Sequence, residues 1–129
     1  MIRRSGILWG LVAAYWVALF VGTHFPLPVP PGSFPGDKIE HLVVFVGLSA
    51  LLYLAIWRNC PQRPAEGIVL CIALVYGAVD EWTQALPFIN RSCEFGDWMA
   101  NAAGTAVGVA MMWVVRYVAG RLSQTPGAT

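Results

Sequence analysis

Charge is what this 129-residue chain has least of: Asp, Glu, Lys and Arg make up 12% of it, against roughly 25% in soluble domains. That scarcity argues against a water-soluble fold. Hydrophobic residues reach 57%, and a chain this short has too much surface for its volume to hide them in a core of its own. A bilayer is then the missing solvent, and the length allows a single domain over residues 1–129. The net charge is only +1, and no basic stripe stands outside the flanks of the apolar runs, which excludes a nucleic-acid partner. Also missing are a CxxC pair, an HExxH helix and a phosphate-binding loop. Of the three cysteines, Cys60 and Cys71 belong to apolar runs and read as small hydrophobes. Cys93, in a polar loop, reads as either a free thiol or an intermolecular bridge.

What is present is four apolar segments. The first, from about residue 6 to 25, carries no charge over some 20 residues, enough to cross about 30 Å of hydrocarbon. Arg3 and Arg4 before it resemble the start of a signal peptide. The run is long and no A-x-A site follows, so it reads as a retained helix. A proline-rich loop, PLPVPPGSFPG, separates it from a second helix expected over about 37–57. Asp37 and Glu40 have the spacing of a capping pair at its start. A third helix is expected over 68–86 and a fourth over 97–118, giving an all-α, four-helix integral membrane bundle. With the N-terminus cytoplasmic, six of the eight basic residues (Arg3, Arg4, Arg58, Arg63, Arg116, Arg121) fall inside, opposed only by Glu66. Lys38 and Arg91 fall outside with the other acids. The positive-inside rule thus predicts that both termini are cytoplasmic.

This orientation gathers three polar clusters at the external face: Asp37-Lys38-x-x-His41, Asp80-Glu81-x-x-Gln84 and Asp97-x-x-x-Asn101. In each cluster, residues four apart share a helix face. Structural readings exist for most of them. Asp37 and Asp97 sit where N-caps belong, Lys38 can snorkel to headgroups, His41 can pair with a carboxylate, and Asn101 can bond across helices. Asp80 and Glu81 resist such a reading. Asp80 lies 12 residues past Ile68, roughly 18 Å along the helix. A carboxylate at that depth costs at least ~2.5 kcal/mol unless it is protonated, paired or hydrated. Lys38, Arg91 and His41 are the available partners. In the fourth helix, Ala100, Gly104 and Gly108 form a small-xxx-small stripe that suits close packing on helix two or three, or a homodimer contact. Phe45, Trp82 and Trp98 read as packing or interface aromatics.

The combined pattern, with Phe45 four residues beyond His41 and Gly104 and Gly108 following Asn101, resembles the VanZ-like family of bacterial membrane proteins from residue 37 to 108. It departs from that family around Arg91, where FINRSCEFGD replaces a tight glycine-bearing turn. The resemblance implies a multi-pass protein of the bacterial cytoplasmic (inner) membrane with a role in the cell envelope. The family takes its name from a protein conferring low-level teicoplanin resistance.

Three functions are consistent with these residues. The first is a factor that binds a lipidated or lipid-linked molecule through Asp37, Lys38, His41, Asp80, Glu81, Gln84, Arg91, Asp97 and Asn101. The second is an enzyme that uses acid/base chemistry, or a divalent ion held by Asp37, His41, Asp80, Glu81 and Asp97, on a lipid-linked substrate. The third is a small transporter, working as a homo-oligomer. No cofactor is named by any motif, and no residue earns a catalytic assignment.

Overall fold

The computed structural model describes residues 2–25, 36–89 and 94–124, apart from the side chains of residues 2–5 and of Asp37. The described residues form four helices and no strand: α1 (Ile2–His24), α2 (Gly36–Asn59), α3 (Ala65–Gln84) and α4 (Phe95–Gln124). Arg91 and Cys93 lie outside the described residues. Prolines punctuate the chain as expected: Pro26 follows α1 closely, Pro61 follows α2, Pro64 is the N-cap of α3 and Pro87 follows its end. Asn59 closes α2 by donating from Nδ2 to the Ala55 carbonyl at 2.6 Å, satisfying one of the carbonyls that a helix end leaves open.

Three helices, α1, α2 and α4, are long and apolar enough to cross a membrane. The one that falls short is α3, whose 20 residues include Glu66, Asp80 and Glu81. The helix ends differ from the expected ones most in α4, which begins two residues earlier, at Phe95, and continues six further, to Gln124. Asp97 is therefore not the N-cap. It lies inside the first turn, pointing into the bundle and buried.

The centre of the molecule is α2, which packs against all three other helices and most extensively against α4. The core is Phe45, Leu48, Leu52, Tyr53, Ala55 and Ile56 of α2, joined by Val69 and Ala73 of α3 and Val109 of α4. The small residues of α4 explain its close approach. A Cβ at Gly104 would overlap the Leu42 carbonyl and come 3.0 Å from its carbon, and one at Gly108 would stand 2.6 Å from the Val46 carbonyl oxygen. Leu42 and Val46 are one turn apart, so the Gly104/Gly108 stripe lies along the α2 backbone.

The opposite surfaces are apolar and unshielded. Ile7, Leu11 and Val17 of α1, and Met111, Val115 and Leu122 of α4, are exposed. An apolar belt of this extent needs lipid around it. Cys71 points outward from α3 and Cys60 is exposed past the end of α2, so neither fills the core, although a lipid-facing thiol is still in apolar surroundings.

Candidate functional site

The end of α1, the start of α2, the end of α3 and the start of α4 meet at one end of this up-and-down bundle. Four helix ends thus carry polar groups to a common level. His41, Asp80, Glu81, Gln84, Asp97 and Asn101 are all buried there, each at most 3% exposed.

Two hydrogen-bonded groups make up the cluster. In the first, His41 of α2 meets Asn101 of α4, with Nδ1 to Oδ1 at 2.9 Å. The same nitrogen stands 3.7 Å from Glu81 Oε1. In the second, Asp80 is an acceptor for three donors. Thr23 and Tyr76 give their hydroxyls to Oδ1 at 3.0 and 3.3 Å, and Gln84 gives its amide to Oδ2 at 2.9 Å. The Asp80/Gln84 spacing of four residues becomes a bond because both face the same neighbours on one helix side. His24 also stands beside Asp80, its Nδ1 3.7 Å from Oδ1, with Nε2 2.9 Å from Thr83 Oγ1 and the ring stacked on Phe20.

Glu81 is the exception. Among the described residues no side chain donates a hydrogen bond to either carboxylate oxygen, although the Glu94 backbone amide faces the group, and Asn101 Nδ2 has no acceptor. Both groups are nearly fully buried, and buried polar atoms without partners are uncommon in native folds. One oxygen of each acid and one nitrogen of His41 lie within 4.8 Å of one another.

Lys38 goes elsewhere. Its half-exposed ammonium holds Glu94 at 3.2 Å and lies 3.5 Å from Asp97 Oδ1, so it balances the acids at the start of α4 and not the Asp80–Glu81 pair. Asp97 stands with Lys38, and among the described residues His41, Asp80 and Glu81 are the members of the expected cation set whose donor atoms lie together. Trp98 donates Nε1 to the Leu74 carbonyl at 3.4 Å, Phe45 is fully buried, and Trp82 faces outward. Gly104 and Gly108 serve the α2–α4 contact.

Thr23, His24, Tyr76 and Thr83 had no place in the sequence reading. A signal for the first two was available. In an up-and-down bundle the end of the first helix must lie level with the start of the second, and Thr23-His24 is the polar pair at that end. Tyr76 stands four residues before Asp80 on the same face.

At the far end of the bundle, Tyr53 donates to Glu66 Oε1 at 2.6 Å, and Arg116 lies 3.7 Å from the same oxygen while donating to the Pro61 carbonyl. These contacts tie the α2–α3 turn to α4 and leave the two ends chemically distinct, one acidic and the other rich in arginine.

No curated protein and no solved structure matches this chain significantly. The model of the VanZ/LLP1 family matches residues 7–116, reaching beyond the motif pattern to include α1 and its Thr23–His24 end. The chain therefore belongs to the VanZ/LLP1 family.

Proposed function

We propose that this membrane protein is a single-domain, four-span protein of the bacterial cytoplasmic membrane with both termini inside. In this reading it binds the polar end of a lipidated or lipid-linked envelope molecule in its external cluster. The observation that carries the reading is a groove of about 470 Å³ between α1 and α2. Tyr15, Leu19, Gly22, Val43 and Val44 make its wall largely apolar, and Thr23 and His41 bring it to the polar cluster. An apolar trough that ends on a few convergent polar groups is the usual form of a small-molecule site, and this volume falls within the ordinary range of about 300–1,000 Å³. An acyl chain fits the trough, and a sugar or peptide headgroup fits donors and acceptors of both kinds. The six-to-two split of basic residues supports the orientation. The 20 residues of α3 reach about 30 Å, enough for a fourth crossing with its acids shielded by the other helices. Protection from a lipoglycopeptide of the teicoplanin kind is the phenotype such binding would produce.

The test is photolabelling of protein in nanodiscs with a photoreactive teicoplanin derivative. Label is expected on α1 and α2 peptides, and the deacylated compound is expected to label poorly. A Cβ at Gly22 meets nothing within 4 Å, so Gly22→Trp can fill the groove without disturbing the bundle. This variant should lose at least nine-tenths of the label on the order of a tenfold weaker affinity, or about 1.4 kcal/mol, while melting near the wild type. Equal labelling of Gly22→Trp and wild type, or of acylated and deacylated compound, overturns the proposal.

A further inference from the structure

We infer that His41, Asp80 and Glu81 together bind a divalent cation. The inference deepens the binding-site reading above, but only the outer partner of the ion depends on that reading. The ion's own ligands do not.

Two observations carry it independently. The first is geometric: the three side chains come from two different helices, yet each brings a donor atom within 4.8 Å of the others, a separation that one ion can bridge. The second is the state of Glu81. It is 3% exposed, faces this cluster, and receives no hydrogen bond from any side chain among the described residues. A bare buried carboxylate is costly, and a second one adjacent in sequence makes it more so. Among the described residues no lysine or arginine pairs with Asp80 or Glu81: Lys38 is occupied by Glu94 and Asp97, and Arg116 lies at the other end. The imidazoles of His24 and His41 stand 3.7 Å from Asp80 and Glu81, and a divalent ion would supply positive charge there without protonating either ring.

The surroundings have the form of a second shell. An ionised carboxylate offers about four acceptor sites, and Thr23, Tyr76 and Gln84 use three on Asp80, fixing its orientation and leaving one for a metal. Asn101 Oδ1 lies beside His41 as a further oxygen donor. One imidazole with carboxylate oxygens is a mixed nitrogen–oxygen set, which suits Mn²⁺, Fe²⁺ or Zn²⁺ better than a soft ion. Three protein ligands leave coordination positions open. An anionic group of the bound molecule, a phosphate or a carboxylate, would take them from the groove that His41 borders.

The experiment uses tag-free, full-length protein in detergent, stripped with EDTA, desalted and dialysed to equilibrium against Zn²⁺ or Mn²⁺, with bound metal counted by mass spectrometry. One ion per chain is expected, together with a rise in Tm on loading, since a ligand that binds only the folded state stabilises it. Glu81→Gln and His41→Ala should each weaken binding by about tenfold or more, while Glu94→Gln, altered at the Lys38 pair, should bind as wild type. Stripped Glu81→Gln should melt no lower than stripped wild type, because the neutral amide removes a buried charge. That keeps loss of metal separate from loss of fold. Less than half an ion per chain, or undiminished binding in Glu81→Gln and His41→Ala, overturns the inference. If metal is absent but teicoplanin labelling persists in stripped protein, the cation site alone fails. If metal binds and labelling is absent, the cation site stands and the function proposed above fails.

Discussion

Gly104→Leu is expected to collapse the thermal stability of the protein, lowering Tm by about 10 °C or more. The reason is where the new side chain would go. A Cβ at this position already overlaps the Leu42 carbonyl and comes 3.1 Å from its Cα, so the obstruction is backbone and no rotamer change relieves it. The helices must move apart along the largest interface in the bundle. Overpacking a core costs about 1–3 kcal/mol when side chains can adjust, and more is expected where they cannot. Gly120 is the internal control: it lies on the same helix and an added Cβ there meets nothing within 4 Å. Gly120→Leu should therefore melt within a degree or two of wild type. Melting curves in detergent, read by intrinsic fluorescence, decide the matter. If Gly104→Leu melts with Gly120→Leu, the α2–α4 packing described here is wrong. If it instead changes only the mass of the complex by light scattering, the glycine stripe serves a contact between copies.

Asp80→Ala should destabilise the bundle by about 2 kcal/mol, and Asp80→Asn by much less. The larger figure follows from three lost hydrogen bonds, one to Thr23 of α1 and two within α3, each worth roughly 0.5–1 kcal/mol net. Two of the three are carried by Oδ1, which an asparagine oxygen replaces. The third survives in reversed sense, because the Gln84 carbonyl can accept from the new amide. The damage in Asp80→Ala should be local to α1. That helix has few contacts with α3, so the Thr23–Asp80 bond, with His24 on Thr83, is a large share of what joins them. Hydrogen exchange of the last two turns of α1 should accelerate in Asp80→Ala and remain near wild type in Asp80→Asn. Equal melting and equal exchange in the two variants would refute a structural role for these hydrogen bonds.

The two acids show how far the sequence reaches. Their depth in an apolar helix, and the expense of leaving them bare, were legible from Asp80 and Glu81 alone. The difference between them was not. Among the described residues Asp80 is satisfied by three side-chain donors and Glu81 by none, although they are neighbours in the chain, because adjacent helical residues point about 100° apart and meet different helices. Lys38 was an available partner for either acid by position, yet it turns to Glu94 and Asp97, because its side chain lies across Gly96 at the start of α4.

What the sequence determined by itself is everything that depends on solvent preference and helical period: an all-helical chain that belongs in lipid, the approximate extent of each helix, and the placing of polar residues near particular helix ends. Those follow from hydropathy and a repeat of 3.6 residues, both local properties. The tertiary structure alone decided which polar residues touch, that Thr23, His24 and Tyr76 complete the site, and that the glycine stripe lies against α2. These depend on how each helix is rotated about its axis against its neighbours, and that rotation is set by packing across the whole bundle.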